Sequence, residues 1–292
     1  MRDCRIWPHG SGCYTQRHMS VTSAEAQPRR RARAAHLSPP LKWAGGKRWQ
    51  VPYLLRIWRP HRHRRLVEPF CGGLAVSFGL RPGRVLANDI NPHLINFYRW
   101  LKRGLRIDLA LENESGAFYA NRARFNALLA AGRQGSREAA SLFYYLNRTG
   151  YNGLCRFNRR GAFNVPFGQY GRINYLDDFR AYRPALAGWR FTARDFEQLP
   201  LAPRDFVYAD PPYDVPFTAY AQEGFSWHDQ VRAAEWLARH PGPVVLVNQA
   251  TPRVCELYGR LGFSLSFLTA PRRISCTGDR TPVQEVVATR HL

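Results

Sequence analysis

The chain has 292 residues, 45% of them hydrophobic, with 43 Lys and Arg against 21 Asp and Glu for a net charge of +22. Such length and apolar content fit one large domain, or a catalytic domain carrying a smaller inserted one, and exclude wholesale disorder. No run of about 18 apolar residues occurs, which excludes a membrane-spanning helix, and the N-terminus lacks a signal-peptide core, so a cytoplasmic protein with no membrane partner is expected.

Residues 1–36 carry +5 and read as a basic, unstructured extension; Met19 lies within it and is an alternative start to Met1. Residues 37–96 carry +8 and residues 97–190 carry +10, whereas residues 191–292 carry −1. An excess gathered in one part of the chain points to a polyanionic partner, with nucleic acid ahead of membrane because no basic amphipathic anchor appears. The six cysteines form no C-x-x-C pair, so neither a disulfide framework nor a zinc site is indicated and no metal is expected. His61-Arg62-His63 sits among arginines and reads as a solvated basic loop.

In chain order, Leu41-Lys42-Trp43-Ala44-Gly45-Gly46-Lys47 is a glycine turn that lets Trp43 and Lys47 converge on one ligand. A strand is expected at Leu66-Val67-Glu68-Pro69-Phe70, turned by Gly72-Gly73 into a helix over residues 75–80. A second strand over 84–87 ends in Asn88-Asp89 and leads into a helix from residue 90 to about 102. Glycines at a strand end with a carboxylate on the next strand make a nucleoside-binding arrangement, with Glu68, Phe70, Gly72 and Asp89 as candidate contacts. The absence of G-x-G-x-x-G and the short path to the second strand disfavour a dinucleotide and suit S-adenosylmethionine. Helical stretches follow over 118–131 and 136–148, then a Gly/Asn/Arg/aromatic segment over 149–171, which breaks the strand–helix alternation. Strands return over 189–192, 206–209, 244–248, 263–268 and 284–288, with helices over 228–239 and 251–261. The sum is a Rossmann-like α/β sheet, with residues 37–96 and 188–292 as the catalytic domain and 97–187 as an inserted, mainly helical domain.

Asp210-Pro211-Pro212-Tyr213 closes the strand over 206–209, where open α/β sheets place their active sites. These four are the candidate catalytic residues. An amino group conjugated with a ring is a poor nucleophile, because its lone pair is delocalised. Asp210 and the Pro211 carbonyl can accept its two N–H bonds, Tyr213 can stack on the planar group, and the prolines keep the acceptors aimed. The set therefore suits methyl transfer to such a nitrogen.

These residues, in this order, resemble the Dam-like (D12) class of DNA adenine N6-methyltransferases over nearly everything from Leu41 onward. Most specific is Tyr145-Leu146-Asn147-Arg148-Thr149-Gly150-Tyr151-Asn152-Gly153-Leu154-Cys155-Arg156, followed by Phe163-Asn164-Val165-Pro166-Phe167-Gly168. The resemblance implies S-adenosylmethionine as methyl donor, double-stranded DNA as partner and a nucleoid-associated location. It implies Trp43, Lys47, Asp89 and Asp210 as cofactor contacts, and Asp210, Pro211 and Tyr213 as holders of a flipped adenine. Lys42, Asn152, Leu154, Arg156, Pro166 and Tyr170 match target-strand or base-reading positions, and Tyr151 is a further candidate DNA contact. GATC is a candidate recognition site and a cognate restriction endonuclease a candidate partner. Two departures stand out: Gly72-Gly73-Leu74-Ala75 in the nucleotide turn, and a link of only Asp214-Val215-Pro216 between Tyr213 and Phe217-Thr218-Ala219-Tyr220. Alternatives from other classes are an RNA or protein-glutamine N-methyltransferase and a non-catalytic DNA-binding protein on the same scaffold.

Overall fold

The computed structural model describes residues 37–214, 225–270 and 283–292. The basic extension over 1–36, its alternative start and the segment Phe217-Thr218-Ala219-Tyr220 therefore lie outside the described residues. Among them, seven strands form one sheet: β1 (Leu66–Glu68), β2 (Val85–Asn88), β3 (Trp189–Thr192), β4 (Phe206–Ala209), β5 (Val244–Gln249), β6 (Ser264–Ala270) and β7 (Val283–Arg290). Their order is β3-β2-β1-β4-β5-β7-β6, parallel except for β7, which runs antiparallel to both neighbours.

The central strands β1, β2, β4 and β5 are buried along nearly their whole length because both faces are covered, whereas β6 is largely exposed. Side chains alternate between two cores: Phe206 and Tyr208 of β4 enter one, Val207 and Ala209 the other. The larger core packs α1 (Val51–Trp58), α2 (Ala75–Leu80), α3 (Pro92–Arg103), α4 (Ser115–Ala130), α5 (Arg137–Thr149) and α6 (Tyr182–Leu186). On the opposite face lie α7 (Trp227–Ala238) and α8 (Pro252–Arg260).

Caps set the helix limits. Asn91 accepts from the backbone N–H groups of His93 and Leu94 ahead of α3, so this helix starts at Pro92 rather than at residue 90. Ser136 caps α5, Ser226 and Asp229 form a capping box on α7, and Thr251 caps α8. The first strand stops at Glu68, two residues short of the expected end, because Pro69 and Phe70 turn the chain into the Gly72 bend. α1 and α6 have no counterpart in the sequence reading. Pro52 opens α1, and its buried residues Leu54 and Trp58 stand four apart, a helical spacing that was available to be read. The expected domain boundary at residue 97 falls inside the unbroken α3. Between Gly104 and Gly188 the chain adds no strand to the sheet, yet α4 and α5 share its larger core.

Strand order reverses between β1 and β4: from β1 the chain builds outward through β2 and β3, then returns to β1's other side. This reversal opens a crevice at the carboxyl ends of β1 and β4, where Glu68 and Asp210 stand.

Candidate active site

A cleft of about 560 Å³ occupies that crevice. Its floor is a buried polar chain in which Lys47 links two carboxylates. Lys47 Nζ lies 3.2 Å from Asp210 Oδ1 and 3.5 Å from Glu285 Oε1, donates to the Gly45 carbonyl at 3.3 Å, and sits 4.4 Å from the centre of the Tyr213 ring. Gln50 Nε2 donates to Glu285 Oε2 at 2.9 Å, and the buried Tyr208 hydroxyl donates to Gln50 Oε1 at 3.1 Å. The ammonium expected to reach for a ligand thus faces two carboxylates of the protein. Burial pushes the Asp210 carboxyl up to about 6, Lys47 opposes the shift and Glu285 adds to it. Asp210 therefore remains ionised at neutral pH, its side chain about one-fifth exposed.

Glu68 is different. Burial pushes its carboxyl up to about 8, although Ser77 Oγ donates to it at 2.7 Å, so it is mostly protonated at neutral pH. The Tyr213 hydroxyl is buried without a well-formed hydrogen bond, and burial with the nearby Asp210 and Glu285 charges pushes its pKa up. The Asp-Pro-Pro-Tyr turn is pinned from behind. Gln230 Nε2 of α7 donates to the Pro212 carbonyl at 2.7 Å, and Gln230 Oε1 accepts from Asn248 Nδ2 of β5 at 2.9 Å. No described residue donates to the Pro211 carbonyl.

Beside this acid-rich end lies the glycine turn. Gly72 has φ +42, and a Cβ there would stand 2.7 Å from Trp43 Nε1, so only glycine lets the indole lie against the turn. Asp89 accepts from the Gly72 and Asn91 backbone N–H groups at 3.1 and 3.0 Å, which fixes the carboxylate while leaving lone pairs for a ligand. The helix cap is Asn91, not Asp89. Asn88, fully buried, ties three strand ends together through Pro69, Thr192 and Arg194. Phe70 packs against Phe196 and Phe225, with ring centres 5.3 and 5.5 Å away, as an aromatic wall of the cleft.

The residues proposed to read DNA gather in a second cluster. Asn147 binds the Lys42 backbone in both directions, at 2.9 and 2.8 Å, and also reaches the Gly153 carbonyl at 3.3 Å. Gly153, at φ +64, passes so close to Lys42 that an added Cβ would stand 2.4 Å from its Cβ. Lys42 Nζ donates to the Arg148 carbonyl at 2.8 Å and lies 3.4 Å from the Tyr170 ring centre; burial and then Arg148 lower its pKa to about 8. Tyr151 is half exposed, Asn152 and Pro166 are exposed, and Leu154 packs against the larger core. Arg156 belongs to a short hairpin: its Nε donates to Asn164 Oδ1 at 2.7 Å, while Asn164 N donates back to the Arg156 carbonyl at 3.1 Å. Arg159 and Arg160 are exposed at the hairpin tip. Asn91 Nδ2 donates to Cys155 Sγ at 3.2 Å, joining this motif to the Asp89 loop.

Glu285, Gln50, Gln230 and Asn248 were missed from sequence. Each is a buried polar side chain, and Glu285 and Asn248 interrupt apolar strands, the one signal that could have exposed them.

A doubly wound sheet with an Asp-Pro-Pro-Tyr turn lining the cleft at its switch point has the architecture of an α/β methyltransferase. The chain belongs to the D12 class N6 adenine-specific DNA methyltransferase family, whose model matches residues 43–269. It is 32% identical to the retron Ec67 DNA adenine methylase of Escherichia coli over 274 residues, covering 86% of this chain and 91% of that protein. With the DNA adenine methylase of Vibrio cholerae serotype O1 the identity is 36% over 276 residues, covering 86% and 96%. The DNA N-6-adenine-methyltransferase of Escherichia phage P1 is 34% identical over 256 residues, or 82% of this chain, which spans only 33% of that longer protein. Family chemistry requires a methyl donor. Among the described residues, no helix is long and apolar enough to cross a membrane and no group of His, Cys, Asp and Glu could hold a metal ion.

Proposed function

We propose that the chain transfers a methyl group from S-adenosylmethionine to N6 of an adenine flipped out of duplex DNA at a specific site. The observation that carries this reading is the Asp210 carboxylate, paired with Lys47 at 3.2 Å, in one cleft with Pro211 and Tyr213 at the switch-point end of β4. Asp210 Oδ and the Pro211 carbonyl accept the two N6–H bonds and localise the lone pair. Asp210 then holds the proton that N6 sheds on methylation. Tyr213, with Phe225 across the cleft, stacks on the base and offsets part of the few kcal/mol that unstacking costs. Lys47, held by Glu285, balances the negative charge around Asp210.

The cleft suits the donor. Its volume lies within the usual range for small-ligand sites. Asp89, fixed by two backbone N–H groups, suits ribose hydroxyls, while Trp43, Phe70 and the Gly72 turn offer apolar walls and close backbone approach. When bound, S-adenosylmethionine supplies an electrophilic methyl group.

The segment between Gly104 and Gly188 is the target-recognition domain in this reading. Its arginine excess and the hairpin carrying Arg156, Arg159 and Arg160 support that role. Arg156 is suited to guanine in the major groove, and Arg159 and Arg160 at the hairpin tip to phosphate. The test is transfer of labelled methyl from S-adenosylmethionine to unmethylated duplex DNA, followed by nucleoside analysis. Label in N6-methyladenine is expected, with GATC the first site to map; label in cytosine, or none, overturns the reading.

A further inference from the structure

The far end of the sheet carries a second charged hollow that methyl transfer does not use. Arg99, Lys102 and Arg103 from the last turns of α3, Arg183 from α6 and Arg190 from β3 line a concavity of about 760 Å³. No carboxylate lines it, and none of the five cations forms an ion pair with a described residue. Part of the array is held in place. Lys102 Nζ donates to the Trp189 carbonyl at 2.6 Å, Arg99 Nη2 donates to the Phe191 carbonyl at 3.3 Å, and the Arg103 guanidinium lies 4.7 Å from the Trp100 ring centre. The four arginines remain exposed.

Like charges gathered in one hollow raise each other's energy, and an anion seated among them relieves that repulsion. Guanidinium groups favour phosphate, whose oxygens they bind in pairs. The cations are spread over three elements around an open hollow rather than closing on one point, which fits a chain of phosphates better than a single small anion. α3 begins three residues after Asp89 and runs away from the cleft, so its twelve residues set the hollow roughly 16 Å from the Asp89 end. A duplex delivering its adenine to Asp210 lies at the carboxyl end of the strands, whereas this hollow lies along the edge strand β3 from Gly188 to Phe191.

We propose that this hollow binds the phosphodiester backbone of a second DNA segment while the first occupies the Asp210 cleft. The proposal rests on DNA being the substrate. It gives the enzyme a means of staying on long DNA while it moves between distant segments.

The test counts duplexes bound per chain. The full-length protein is mixed at low salt with an excess of labelled duplex about 14 base pairs long and analysed by sedimentation velocity, which separates one bound duplex from two. Two duplexes per chain are expected for the native protein and one for the Arg103→Glu/Arg183→Glu/Arg190→Glu variant, with methyl transfer to the same short duplex unchanged. The corresponding Arg→Lys triple variant should restore the second duplex. Arg190→Glu alone, at an exposed strand position, weakens the second site measurably and serves if the triple variant does not fold. One duplex on the native protein, or two on the charge-reversed variant, overturns the proposal. So does displacement of the second duplex by millimolar inorganic phosphate as readily as by unlabelled duplex, since that marks a small-anion site. Failure of the native protein to methylate the short duplex would instead overturn the underlying function, a result independent of the stoichiometry.

Discussion

The cleft at the end of β4 and the motif cluster around Lys42 both bring distant residues together, but they handle charge in opposite ways. In the cleft, Lys47 pairs with the partly exposed Asp210 and the buried Glu285, while the buried Glu68 accepts from Ser77. Around Lys42 the fixed contacts are mostly to backbone carbonyls and an aromatic ring: Arg148, Gly153, Tyr170. Burying carboxylates is costly unless each is paired, hydrogen-bonded or protonated, and the cleft uses all three solutions to keep one carboxylate ionised where chemistry needs it. The Lys42 cluster instead holds loops through carbonyl and aromatic partners, while Arg159 and Arg160 stay exposed at the nearby hairpin tip. In the proposed function, one region positions a reaction and the other a polymer.

The largest effect that would test this division is in the cleft. Asp210→Ala should lower the rate of methyl transfer by about 10³-fold with duplex binding retained; single-turnover kinetics beside a binding isotherm measure both, and substantial activity would remove Asp210 from its role. Next comes the recognition side. Arg156→Ala should reduce discrimination between the preferred site and a one-base variant by about 10- to 100-fold, with a smaller change on non-specific DNA. An equal loss on every sequence would reassign Arg156 to phosphate.

The smallest effect sharpens the comparison most. Glu285→Gln should lower kcat by roughly tenfold while leaving KM for DNA unchanged, because Lys47 loses one of its two carboxylate partners. It should also move the pH profile. Asp210 works ionised, so the rate falls as pH drops through about 6. The Glu285 charge helps raise that value against the opposing Lys47, with burial the larger cause; neutralising it lowers the Asp210 pKa and shifts the acid limb to lower pH. Slower catalysis with an unmoved limb would make Glu285 a packing residue only.

Much of the site was legible because the information is local. Asp210-Pro211-Pro212-Tyr213 follows a four-residue apolar strand, and the Gly72 turn and Asp89 each end a strand of their own. Helix limits were read to within a few residues, and the discrepancies trace to caps such as Asn91 and Ser136, whose side chains close the first turn from outside it. α1 was missed although its apolar spacing was present. The position of Glu285 was not legible in the same way: it meets Gln50 across 235 residues of sequence, and only the antiparallel insertion of β7 beside β5 brings it to Lys47.

The sequence by itself therefore determined the alternating sheet, the turn chemistry at strand ends and the arginine excess ahead of residue 191, because each depends on neighbours within a few residues. Tertiary structure decided the partners of the charges. Lys47 faces Asp210 and Glu285 and Asn147 binds Lys42, while Arg99, Lys102, Arg103, Arg183 and Arg190 line one hollow. The reason is physical: the state of a buried charge depends on its desolvation and on groups within a few ångströms. Those groups are chosen by strand order and helix packing, which no local pattern in the sequence states.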